Sequence, residues 1–319
     1  FFNTGCAARQ IQIWCNDVIF QPTRPMRAFA CFLGLILAAL ASMAAFTYPA
    51  WAALYPHFGF PFHRVADRIG MLALAIGFVL TARRLGLADR ASLGYGAPPR
   101  VFLRDLGVGF LIGAPMMALV VALMVLLHLR AWKTGITVDA ATLLKIAQVG
   151  LLRGLAVALI EETFLRGAMY AGIARESGPR AAVILTALIY GMTHFVGVYH
   201  IPAGEASWGS GLTLLAGALH DFTHPLGIGD AYLSLFAVGV VLGIVRAQTG
   251  HIGACIGLHA SWVWIITFVR ETSIANRASP LSFLLSGFDG VVGWLVLGWT
   301  IILGFVLFRF YSRRGRPAF

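Results

Sequence analysis

Residues Ala141 to Gly167 read ATLLKIAQVGLLRGLAVALIEETFLRG: a predominantly apolar run of about one membrane thickness that ends in two adjacent carboxylates. At the helical rise, about 20 apolar residues span the hydrocarbon of a bilayer, so this stretch reads as a membrane-crossing helix with Glu161 and Glu162 near one end. A charged side chain at that depth costs about 2.5 to 3.5 kcal/mol on insertion scales. Two such residues side by side therefore mark a functional site rather than a packing solution.

The rest of the chain has the same character. Hydrophobic residues make up 59% of the sequence and charged residues only 12%, and the mean hydropathy is +0.82. The fold class that follows is all-α: a polytopic transmembrane helical bundle of about eight spans, expected near 28–54, 67–84, 104–129, 141–160, 180–199, 230–248, 251–269 and 289–311, with the Glu-Glu segment continuing the fourth helix to about residue 174. Residues 1–25 precede the first methionine, Met26, and are expected to be an N-terminal extension; residues 26–319 are expected to form a single integral membrane domain.

Net charge is +11, and 22 of the 24 basic residues are arginine, the exceptions being Lys133 and Lys145. The arginines flank apolar spans, which points to membrane orientation and not to nucleic acid. With both termini cytoplasmic, the inner segments hold sixteen basic residues, among them Arg9, Arg24, Arg83, Arg84, Arg166, Arg246, Arg314 and Arg316, against six in the outer segments: Arg64, Arg68, Arg130, Lys133, Arg270 and Arg277. Lys145 and Arg153 fall within the fourth span and take no part in this comparison. Cytoplasmic termini and, from the Arg-, Ala- and Gly-rich composition, a bacterial plasma membrane are the expected setting, with membrane lipid as a partner. Cys6, Cys15, Cys31 and Cys255 show neither paired nor thiolate-site spacing. Small residues four apart, Gly109 with Gly113, Gly239 with Gly243 and Gly253 with Gly257, are expected where helices approach closely.

Within the spans, Glu162 and Arg166 are four apart with the acid first, the favoured order for a helical ion pair. Glu161 is turned about 100° away and finds Leu165, no partner, one turn on. His194 on the fifth span and His259 on the seventh add an imidazole each. Groups of this kind converge on a shared interior, and a glutamate with two histidines can activate water for attack on an amide, with a metal ion or without one.

These elements resemble the CPBP family of intramembrane proteases, the CAAX prenyl endopeptidase and bacteriocin-processing group also called the ABI family. Its pattern is Glu-Glu-x-x-x-Arg, then Phe-x-x-x-His, then His-x-x-x-Asn or Asp. Glu161, Glu162 and Arg166 match the first motif; His194 matches the second, with Tyr190 in place of phenylalanine; His259 matches the third, with Val263 in place of the amide or acid. The resemblance covers about residues 93–269, including Leu93-Gly94-Tyr95-Gly96. It implies an endopeptidase acting on a membrane-associated or lipidated protein or a leader peptide. Glu161 and His194 would activate water, Glu162 and Arg166 would organise the site, and His259 would bind the oxyanion. Glu161, His194 and His259 are the candidate ligands should zinc or another divalent metal take part. Val263 cannot donate a hydrogen bond, and Ser261 and Trp262 are the neighbours that could replace it.

Other chemistries lack their residues. No His-Glu-x-x-His string exists; Gly227-Ile228-Gly229-Asp230 has no partner aspartate on the fifth span, and Asp230 is expected as the N-cap of the sixth helix; Ser210 lies in the outer loop. His220 and His224, ahead of Pro225, are expected in a solvated turn. The competing class is a non-catalytic immunity, scaffold or carrier protein built on the same polar cluster.

Overall fold

The computed structural model describes residues 26–135, 139–195 and 200–313, excepting the side chains of Ala218, Asp221 and Arg313. The extension expected at 1–25, Arg314 and Arg316, and residues 196–199 of the fifth expected span lie outside these. The helices are α1 (Arg27–Phe58), α2 (Phe62–Arg84), α3 (Pro99–Leu126), α4 (Ala140–Glu162), α5 (Tyr170–Thr193), α6 (Ser210–Thr223), α7 (Pro225–Thr249), α8 (Gly253–Thr272) and α9 (Trp294–Arg313), with a π-helical segment, Thr163–Met169, joining α4 to α5.

Among the described residues, seven continuous helical stretches are long and apolar enough to cross a membrane, and one of them, Ala140–Thr193, has 54 residues. At 1.5 Å per residue that would be a rod of about 81 Å, more than twice the hydrocarbon thickness. The rod breaks at Gly178, whose φ of 82° and ψ of 164° lie outside helical space, immediately before Pro179. Pro179 has no N–H to continue the ladder and Gly178 bears no Cβ to oppose the turn. The kink divides the stretch into two helical pieces, and the seven stretches agree with the polytopic all-α bundle expected while falling one short of the eight spans read from hydropathy.

Two local expectations are corrected. Asp230 is not an N-cap: α7 begins at Pro225, whose missing N–H suits the first helical turn, and Asp230 lies inside the helix, where Oδ1 accepts from Ser286 Oγ at 3.0 Å. His220 and His224 are exposed, as expected, but they do not share a turn: His220 lies in the last turn of α6, which runs to Thr223, and His224 is the N-cap of α7, their rings 4.6 Å apart; Pro225 starts a second helix instead of merely ending the first.

The glycine pairs close the bundle as their spacing predicts. A Cβ on Gly109 would stand 2.5 Å from the Ala254 carbonyl oxygen, and one on Gly257 would collide with the Leu106 carbonyl, so α3 and α8 pack backbone against backbone. α4 lies along the same helix, and α5 packs on α7. A short antiparallel ribbon, β1 (Arg130–Trp132) with β2 (Ser273–Ala275), ties the ends of α3 and α8 together. Arg130, Arg166 and Arg246, all used for orientation in the sequence, are buried.

Candidate active site

The polar cluster is assembled where α4 passes into the π-helical segment. Its widened turns are held in place: Thr163 Oγ1 donates to the Leu159 carbonyl of its own helix at 2.6 Å and lies 2.6 Å from Tyr95 Oη, and a Cβ on Gly167 would come within 2.5 Å of the Leu93 carbonyl. The Leu93–Gly96 stretch therefore braces this segment, and Gly94 also accepts from the Ile252 N–H at the start of α8. Single turns of π-helix occur frequently at functional sites.

Glu162 and Arg166 are fully buried, with Arg166 Nη1 donating to Glu162 Oε1 at 3.0 Å. The guanidinium also reaches the Gly239 carbonyl at 3.3 Å and lies over the Tyr190 ring, 4.6 Å from its centre. His259, 3% exposed, places Nδ1 2.8 Å from the same Glu162 oxygen. A carboxylate oxygen already holding an arginine accepts from this nitrogen, which fixes the proton on Nδ1 and directs Nε2 elsewhere. Nε2 points toward Glu161, 4.0 Å from Oε2. His194 is anchored by Nδ1 on the Tyr190 carbonyl at 2.7 Å; a carbonyl only accepts, so its free nitrogen is Nε2. Tyr190, where the motif has phenylalanine, touches Arg166, His194 and His259 edge or face on.

Glu161, His194 and His259 line one cavity of about 270 Å³, shared with Arg153, Val157, Val263 and Trp299. Glu161 Oε2 is buried and has no hydrogen-bond partner among the described residues. Thus the structure brings together all five side chains singled out in the sequence. Glu162 and Arg166 lie behind, and Glu161 and the two imidazoles face the cavity.

Among the described residues no three His, Cys, Asp or Glu side chains are arranged as a metal-binding group. Val263 lines the cavity without a polar atom. The Ser261 hydroxyl, one of its possible substitutes, is committed to the Leu258 carbonyl at 2.7 Å.

Two contributors escaped the sequence. Arg246 reads there as an orientation charge, yet its Nε supports the π-helical segment through the Arg166 carbonyl at 2.8 Å, and its guanidinium lies over Tyr170. The loop at 285–293 roofs the cavity with Phe288, Asp289, Val291 and Val292, pinned by Arg130 to the Gly290 carbonyl and by Arg270 to Asp289, each at 2.5 Å. The Arg-Ala-Gln-Thr-Gly run at 246–250 is the only local signal that could have pointed to the first.

No curated protein and no solved structure matches the chain. Residues 142–265 match the family model described as Type II CAAX prenyl endopeptidase Rce1-like, a stretch that runs from α4 through α8 and holds all five clustered side chains. Over this segment the chain is similar to the Rce1-like type II CAAX prenyl endopeptidases, a match that agrees with the resemblance carried by the three sequence motifs.

Proposed function

We propose that the protein is an intramembrane endopeptidase that hydrolyses a peptide bond of a membrane-associated or lipidated protein or a leader peptide, using water activated by Glu161 and His194. The observation that carries this reading is the unpartnered Glu161 Oε2 facing the cavity opposite two imidazoles whose other nitrogens are already fixed.

Water accepted between Glu161 Oε2 and His194 Nε2 gives its proton to Glu161 as its oxygen attacks the substrate carbonyl carbon. The oxyanion forms against Nε2 of His259, whose Nδ1–H stays on Glu162, the Arg166–Glu162 pair holding that orientation without reorganisation during the step. Glu161 then delivers its proton to the leaving nitrogen as the C–N bond breaks. One water is consumed, and one carboxyl and one amino terminus are formed. Both termini of the enzyme are assigned to the cytoplasm of a bacterial cell, with the membrane lipid as its surroundings.

The test compares peptide termini by mass spectrometry in membranes carrying wild type or Glu161→Ala at matched levels of folded protein. Termini that vanish with Glu161→Ala are expected and identify the substrate. Identical profiles would favour the non-catalytic scaffold or immunity reading, for which Val263 is the structural argument.

A further inference from the structure

Among the polar groups that line the cavity and that hydrolysis does not use, two donors stand without an acceptor among the described residues. Arg153 sits on α4 two turns before Glu161, inside a membrane-crossing helix, and Arg153, Val157 and Glu161 line the cavity at successive four-residue steps. Among the described residues it makes no hydrogen bond or ion pair. The acids that share the cavity are spoken for or distant: Asp289 holds Arg270 at 2.5 Å, and Glu271 is outside ion-pair reach of Arg153. The second group is Trp299 on α9, whose indole Nε1 is buried without a partner among the described residues. An intramembrane cation without a carboxylate is a functional-site hypothesis by default, and a buried N–H without an acceptor calls for one. An isoprenoid chain would satisfy neither group; a peptide with a free carboxyl end satisfies both.

We propose that Arg153 is the specificity residue that anchors the substrate's C-terminal carboxylate, with Trp299 donating to a backbone carbonyl of the same segment. This deepens the protease reading above and rests on it. The spacing supports it. Eight residues of helix put Arg153 about 12 Å from Glu161. In a C-terminal Cys-a-a-X sequence, three residues follow the cysteine, and three extended residues span about 10 to 11 Å. A scissile bond placed at Glu161 thus carries its terminal carboxylate to the guanidinium, which can grip it with two parallel hydrogen bonds. The distance between the two side chains acts as a ruler that selects how many residues follow the cut.

The experiment uses the full chain in lipid vesicles with a prenylated Cys-a-a-X peptide made in two forms, free acid and C-terminal amide. Wild type is expected to show a KM about 10- to 100-fold higher for the amide with kcat little changed, the size of effect that hydrogen bonds to a charged group give. Arg153→Gln is expected to raise the KM of the acid to that of the amide while leaving the amide unaffected; Arg153→Lys should keep part of the discrimination. Trp299→Phe is expected to weaken acid and amide alike. Equal cleavage of both forms by wild type, or equal loss of both in Arg153→Gln, would overturn the anchor while leaving the protease reading intact, and Arg153 would then be a side chain snorkelling toward the interface. Cleavage of neither form by wild type would overturn the protease reading for Cys-a-a-X substrates, and the anchor with it.

Discussion

Replacing Arg166 by glutamine strips the guanidinium from a carboxylate that has no access to water. Glu162 and Arg166 are both 0% exposed, and their contact at 3.0 Å is the carboxylate's cationic pairing behind the cavity. Removing one member of a buried pair leaves the other as an uncompensated charge, at a cost of about 3 to 5 kcal/mol. The same change deletes the hydrogen bond to the Gly239 carbonyl and the contact with the Tyr190 ring, which add to that figure and do not offset it. Arg166→Gln is therefore expected to lower the folded-to-unfolded ratio by at least about 100-fold. Unfolding in mixed micelles, followed by near-ultraviolet circular dichroism, measures it. The double variant Glu162→Gln/Arg166→Gln removes both charges and is expected to recover part of the loss, with a coupling of at least about 1 kcal/mol. A cost below about 1 kcal/mol for the single variant, with additivity in the double, is what an exposed pair gives, and would refute the buried geometry.

Val263→Asn restores an amide to a cavity-lining position beside His259, and kcat on any substrate found is expected to rise by about 10-fold or more, toward the 100- to 1000-fold effect of a full oxyanion donor; single-turnover kinetics with an unchanged or lower rate would show that the site does not use that donor. At the other end of α4, Asp139 accepts from the Thr142 N–H at 2.7 Å, and that bond holds its carboxyl below the usual carboxylate range. Because the folded value is the lower one, the capping contribution is present above the unfolded value and is lost as pH falls through the folded one; the protection of the Thr142 amide relative to its intrinsic exchange rate is expected to fall on acidification in wild type and to be low at every pH in Asp139→Ala.

The parts that were legible in the sequence are those where a single property decides the outcome. Hydropathy runs of membrane length identify the crossings, the four-residue spacing of Glu162 and Arg166 forecasts their pairing, and small residues at the same spacing mark the contact of α3 with α8. The parts that were not legible depend on competition between neighbours. Asp230 has the chemistry of a cap, but Pro225 starts the helix five residues earlier and Asp230 is left to hold Ser286. Arg246 has the charge of a topology signal, but the Arg166 carbonyl within the π-helical segment accepts from its Nε and holds it inward. Trp299 lies outside every motif, more than a hundred residues from Glu161 in sequence, and only the packing of α9 brings it to the cavity. Glu161 itself was singled out for lacking a partner one turn on, and its buried Oε2 indeed has none among the described residues.

The π-helical segment makes the site sensitive to length as well as to chemistry. It holds one more residue in its turn than an α-helix would, and each residue of an α-helix turns the chain by about 100°. Deleting one residue between Thr163 and Met169 could keep Glu161, Glu162, His194 and His259 and still rotate everything C-terminal to the deletion relative to everything before it, Arg166 and Tyr190 included. A change in the number of residues in this one turn therefore detunes the whole site at a stroke, so the spacing of residues here carries as much meaning as their identity.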